Sequence, residues 1–142
     1  LENPKVQEMR EYIQHGAVST YDHSLNVTKV SFWLNRRLKL HAKEKTLVTG
    51  AILHDFYLYD WHNKDGGAHD WHGYHHADTA RHNAKKYFNI TKHEEEIIKR
   101  HMWPLNITRV PNSRESLIVC MADKYVSLHE TLFQRKVKKK II

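Results

Sequence analysis

Cysteine occurs once in these 142 residues, proline three times and glycine five times. A lone Cys120 excludes an internal disulfide and a structural thiolate zinc site, and it suits a reducing cytosol. It lies in the apolar stretch SLIVCMADKYV and is read as core packing rather than as a reactive thiol. No run of about 18 apolar residues occurs, so no membrane-spanning segment is expected. Zinc-finger spacing is missing, and so is any basic motif interleaved with aromatics; specific nucleic-acid binding is therefore not expected. No signal peptide is visible, the missing initiator Met is read as a trimmed start or tag, and a cytoplasmic location is expected. Nothing alternates at period two for long enough to suggest a sheet, and no repeat or linker interrupts the chain.

What is present fits one globular domain over residues 1–142: 40% hydrophobic and 27% charged residues, in a chain long enough to bury a core. The net charge is +7, and five of the cations sit in RKVKKK at 135–140, so the body is only mildly basic. Residues 133–142 read as a basic, solvated tail. A mildly basic body is compatible with anionic substrates through steering rather than specific recognition.

Helical signals run the length of the chain. Asn3 before Pro4 opens a first helix that Gly16 ends, and Thr20 caps a second carrying Val27, Val30, Leu34 and Leu38. A third runs over about 42–58, with Leu47, Val48, Ala51, Ile52 and Leu58 facing inward. Residues 59–72 hold Gly66-Gly67 and form a loop, and a fourth helix covers about 75–88. Thr91 and Glu94 make a capping box for a fifth, which Pro104 stops after His101. Asn112 and Glu115 open a last long helix with Leu117, Ile118, Met121, Tyr125, Leu128 and Leu132 on one apolar stripe. The expected architecture is an all-α, single-domain bundle of about six helices.

Residues 51–84 concentrate seven of the 13 histidines. Against the helix map, ligand-type side chains recur about once per helix and mostly near helix ends, which converge in a bundle. They are His23, the doublet His54-Asp55, the group His69, His72, His75 and His76, then His101 and Asp123. Imidazole with carboxylate is the donor set of divalent transition metals. Adjacent His54 and Asp55 project about 100° apart on a helix, so one ion reaches both only from the groove between them. Asp123 lies in an apolar context, where an unpaired carboxylate is costly.

The order His23, then His54-Asp55, then Asp123, in "TYDHS", "AILHDF" and "CMADKYVS", resembles the HD superfamily of metal-dependent phosphohydrolases. The resemblance covers about residues 15–132, and "HGYHHADTARHNA" with "IIKRHMWPL" is similar to a bacterial subgroup of predicted HD hydrolases. It implies one or two divalent transition metal ions: iron, manganese, zinc or nickel, with magnesium a further candidate. By the resemblance, His23, His54, Asp55 and Asp123 hold a first ion. Asp55 also bridges to a second ion held by His101 and by His76, with His75 as the alternative. The implied reaction is hydrolysis of a small phosphoester, a nucleotide among the candidates, by metal-activated water. Asp55, Asp123 and Lys124 are the candidate catalytic residues, Lys124 by adding positive potential. Asp60, His69, Asp70 and His72 are candidates for a general acid or for orienting the ligands. Trp61, Trp71 and Tyr74 either stack on a base or anchor the loop. The Gly-Tyr-Pro motif of the cyclic-dinucleotide branch is missing, which argues against that substrate. Two alternatives keep the same ligands: a di-iron oxygenase of this fold, and a non-catalytic, metal-stabilised binding module.

Overall fold

In a computed structural model, the backbone is described for residues 2–15, 18–57 and 72–141, and side chains within these for 2–12, 18–57 and 76–132. The described elements are α1 (Pro4–Gln7), a 3-10 turn (Glu8–Glu11), β1 (Ile13–His15), β2 (Val18–Ser19) and α2 (Thr20–Arg37). They continue with α3 (Glu44–Leu53), α4 (His72–Tyr87), α5 (Lys92–Arg100) and α6 (Arg114–Ile141). Six helices and hardly any strand make this the expected all-α domain. None of the described helices is long and apolar enough to cross a membrane.

Four expectations need correction. The first helix does not run to Gly16. The Asn3 side chain caps it at Lys5 N, but it tightens into a 3-10 turn after Gln7 and then into an antiparallel ribbon, β1 against β2. Strands of three and two residues are too short to leave a period-two pattern. The third helix starts later and ends earlier than expected, at Leu53, so that His54 and Asp55 occupy the turn beyond it. The fourth begins at His72, three residues before the predicted start.

The fourth correction concerns α6. Leu117, Met121, Tyr125, Leu128 and Leu132 share an arc of about 80° on the helix, yet all five are exposed. The buried face instead carries Ile118, Val119, Ala122 and Val126, together with the acids Asp123 and Glu130.

α2 packs against α3 and α6, and α5 bridges α3, α4 and α6. Two apolar clusters result. Val27, Leu47, Ala51, Ile97, Val119, Ala122 and Val126 fill one; Val6, Met9, Leu53, Phe56, Ala80, Ala84 and Ile98 fill the other. α3 and α5 approach closely because position 50 has no side chain. A Cβ on Gly50 would lie 2.7 Å from Cγ2 of Ile97. That contact lies one helical turn before His54 on α3 and one turn before His101 on α5, so it sets how near those two imidazoles come.

Candidate metal centre

Five elements each deliver one side chain, or the doublet, to one buried cluster. His23 lies in the first turns of α2, where Ser19 caps the helix by accepting Asp22 N–H. His54 is the C-cap of α3 and His101 the C-cap of α5; His76 lies on α4 and Asp123 on α6. Behind the doublet, the Asn83 amide on α4 donates to the carbonyls of Phe56 and Tyr57, holding the chain as it leaves α3. Thr20 and Tyr57 join hydroxyls at 3.2 Å.

The cluster has two halves that share Asp55. In the first, His23 Nε2 is 2.9 Å from Asp123 Oδ1 and 3.4 Å from Asp55 Oδ2. His54 Nε2 is 3.3 Å from each of the same two oxygens. In the second, Asp55 Oδ1 is 3.1 Å from His76 Nε2 and 3.2 Å from His101 Nε2, and those nitrogens are 2.9 Å apart. His23, His54, Asp55 and Asp123 form one group of converging donor atoms, and Asp55, His76 and His101 form another.

These separations suit metal ions. Donors bound at about 2.1 Å and at right angles around one ion stand about 3.0 Å apart. Two imidazole nitrogens aimed at each other at 2.9 Å, beside one carboxylate oxygen, are the edge of such a ligand set.

Three of the rings are held from behind. Nδ1 of His54 lies 2.6 Å from the Ala51 carbonyl, and Nδ1 of His101 lies 2.6 Å from that of Ile98. Nδ1 of His23 is 2.9 Å from Oε2 of Glu130 on α6. With these acceptors behind them, each ring directs Nδ1–H outward and turns Nε2 to the cluster.

Protonation follows the same layout. Burial works against a charge on His23, but hydrogen bonds to Asp123 and Glu130 outweigh it and raise its pKa from 6.5 to about 9. Burial likewise opposes charge on His54, yet attraction from Asp55 and the bond to Asp123 hold its pKa well above the ordinary value. Burial would raise Asp55, but the charge on His54 and the hydrogen bonds from His101, His54 and His76 pull it well below the carboxylate range. Asp123 is also lowered: burial is overcome by bonds from His23 and His54. His101 differs. Burial, helped by repulsion from the charged His54, depresses it against the pull of Asp55.

Of the residues singled out in the sequence, His23, His54, Asp55, His76, His101 and Asp123 thus come together in the interior. The Lys124 ammonium donates to the carbonyl of His101 and to Cys120 Sγ, 3.1 and 3.3 Å away. Asp60, Trp61, His69, Asp70 and Trp71 lie outside the described residues, as do the side chains of His72, Tyr74 and His75. Glu130 was missed by sequence reasoning. Its signal was there: seven residues, two helical turns, separate it from Asp123, so both acids lie on one face of α6.

Comparison with curated proteins and with solved structures gives no match. A model of the HD domain matches residues 20–128, a span that starts just before His23 and includes His54-Asp55, His76, His101 and Asp123. With more than two thirds of its length matched and a buried His/Asp cluster able to bind divalent metal, the chain belongs to the HD domain family, a superfamily of metal-dependent hydrolases.

Proposed function

We propose that the protein is a phosphohydrolase, using a pair of divalent metal ions to hydrolyse a small phosphoester. A nucleotide is among the candidate substrates, and the cytosol is the expected location. The observation that carries this reading is the division of one carboxylate between two sets of imidazoles: Asp55 Oδ2 faces His23 and His54, and Oδ1 faces His76 and His101. A carboxylate shared in this way suits two adjacent cations.

His23, His54, Asp55 and Asp123 would hold the first ion, and Asp55, His76 and His101 the second. Such ions supply a water made acidic enough to attack at neutral pH, and positive charge to stabilise the phosphoryl oxygens. The chain's own part is preorganisation. Nδ1 contacts from His54 and His101 to helix-terminal carbonyls keep both Nε2 atoms directed inward. Burial keeps bulk water from competing for those nitrogens. Lys124 places a positive charge on the carbonyl of His101, adding potential on the second-ion side. His76 is preferred over His75 as the α4 ligand because its Nε2 meets both Asp55 and His101. A general acid among Asp60, His69, Asp70 and His72 belongs to the same proposal.

The test combines metal analysis of untagged protein with a panel of nucleotides and simple phosphoesters, assayed with manganese, iron, zinc, nickel and magnesium. Expected are one to two bound equivalents, and phosphate release that requires metal, ignores dioxygen and is lost in Asp55→Asn. Activity retained by the metal-free protein would overturn the reading. Iron-dependent dioxygen uptake without phosphate release would replace it with the oxygenase alternative. Metal binding with no turnover on any substrate would favour a binding module.

A further inference from the structure

We propose that Glu130 is a positioning residue of the metal centre, its buried carboxylate holding His23 by Nδ1–H so that Nε2 faces the first ion. The inference rests on the metal centre proposed above, but not on the identity of the substrate.

The helix ends explain why such a residue is needed. The last four carbonyls of a helix have no partner within it. His54 and His101 are C-caps, and each bonds the carbonyl three residues earlier, in its own last turn. Those carbonyls are free to hold a ring. His23 sits at the opposite end of its helix, near the N-terminus, where the exposed backbone groups are N–H donors and the carbonyls are already taken up by the helix. The acceptor on its Nδ1 comes instead from another element, Glu130 of α6.

Glu130 is an expensive way to meet that need. It is only 6% exposed, and its Oε2 takes the His23 bond while Oε1 is buried with no hydrogen-bond partner among the described residues. A carboxylate placed only to stabilise a helix pair would be better satisfied, because half-paired buried acids cost stability. Its position fits an electrostatic role as well. His23 stands between Glu130 on Nδ1 and Asp123 on Nε2, and α6 provides both acids two turns apart. Behind a metal-bound imidazole, a carboxylate raises the basicity of the ligand and fixes its orientation. Glu130 would therefore tighten the first ion and leave the His76–His101 side unaffected.

The test uses the full chain stripped of metal, titrated with manganese(II) and with zinc(II) by calorimetry, and compares wild type with Glu130→Ala and Glu130→Gln. Expected is a 10- to 100-fold weaker first binding step in Glu130→Ala, the range typical of lost orienting partners. Glu130→Gln should recover most of it, because the amide oxygen still accepts the Nδ1 proton. A merely structural acid would lower Tm in Glu130→Ala and leave metal affinity within threefold of wild type; that result overturns the proposal. If Glu130→Ala does not fold, nitrogen NMR of the zinc-loaded wild type decides. Nδ1 of His23 protonated and Nε2 metal-bound is expected, and the reverse overturns it. A wild type that takes up neither ion overturns the metal centre, and this role with it. A wild type that binds both ions, beside a variant that binds equally well, removes Glu130 alone.

Discussion

The two halves of the cluster share a carboxylate and little else. The first half sets two imidazoles among three acids, Asp55, Asp123 and Glu130, and both imidazoles hold their protons firmly. The second sets two imidazoles against a single oxygen of Asp55, and there His101 is biased towards its neutral form by burial and by the charge on His54. In the metal-free protein, protons on His23 and His54 stand in for the charge of an ion. His101, biased towards its neutral form, has no such stand-in. An ion entering the first half must displace protons, so its affinity should rise steeply with pH. An ion meeting His101 pays less for that step and gains less from acid charge. The first half should bind tightly, the second loosely, and one residue, Asp55, joins their fates.

Asp55→Asn is the severest way to break that link. The amide has one acceptor oxygen and no charge, so it cannot serve both halves. Turnover should fall by a thousandfold or more, about 4 kcal/mol in the barrier, and neither ion should be retained through dialysis. Asp123→Asn and His76→Ala then separate the halves. The first should empty the tight site, while the second should keep close to one equivalent by elemental analysis. If His76→Ala loses all metal, the halves are not distinct.

The proton ledger gives the next effect. The pKa of His23 rises from 6.5 in an unfolded chain to about 9 in the fold. A raised pKa stabilises the fold fully below about 6.5, and the benefit disappears as pH passes about 9. Denaturant melts of metal-free protein should therefore lose on the order of 3 kcal/mol between those limits. The lowered carboxyls of Asp55 and Asp123 act oppositely: their contribution holds above about pH 4 and is lost in acid. Metal-loaded protein should show a flatter profile at high pH, since the ion replaces the proton. A metal-free melt independent of pH from 6.5 to 9 would show that His23 is not held as a cation.

Gly50→Ala acts on both halves together. Its methyl would meet Ile97 at 2.7 Å and must push α3 from α5 or turn the Ile97 side chain. Overpacking of this kind costs about 1–3 kcal/mol. His54 and His101, one turn beyond, stand with ring centroids 4.8 Å apart and should separate with the helices. Calorimetric Tm and metal content should fall together. A lower Tm with full metal content would mean that the helix ends adjust independently of the contact.

How much of this could be read from the sequence depended on what periodicity encodes. Candidate ligand residues spaced about one to a helix, mostly near ends that a bundle brings together, were visible as a pattern in the order of the chain. The capping box at Thr91 and Glu94 was equally plain, and both of its hydrogen bonds form. The stripe on α6 shows the limit. Apolar spacing tells which residues share a face, and Leu117, Met121, Tyr125, Leu128 and Leu132 do. It does not tell which face the rest of the fold covers. Small and β-branched residues, Val119, Ala122 and Val126, let α6 approach its neighbours, and the bulkier stripe was left outside. Glu130 escaped notice for a related reason: an acid on a helix is usually solvated, and its burial is decided by His23, 107 residues away in the chain.

The smallest effect is expected at Lys124, which lies beside Asp123 in the chain but serves the other half in space. Its ammonium bonds the carbonyl of His101, and the part-buried contact is worth roughly 1 kcal/mol after solvent screening. Lys124→Met keeps the aliphatic stem and removes the charge. The second binding step should weaken several-fold while the first stays within twofold, as read from a two-site calorimetric titration. Sequence adjacency would instead predict weakening of the first step, through the charge lost next to Asp123. Which step moves therefore decides whether the division between the halves follows the fold or the chain.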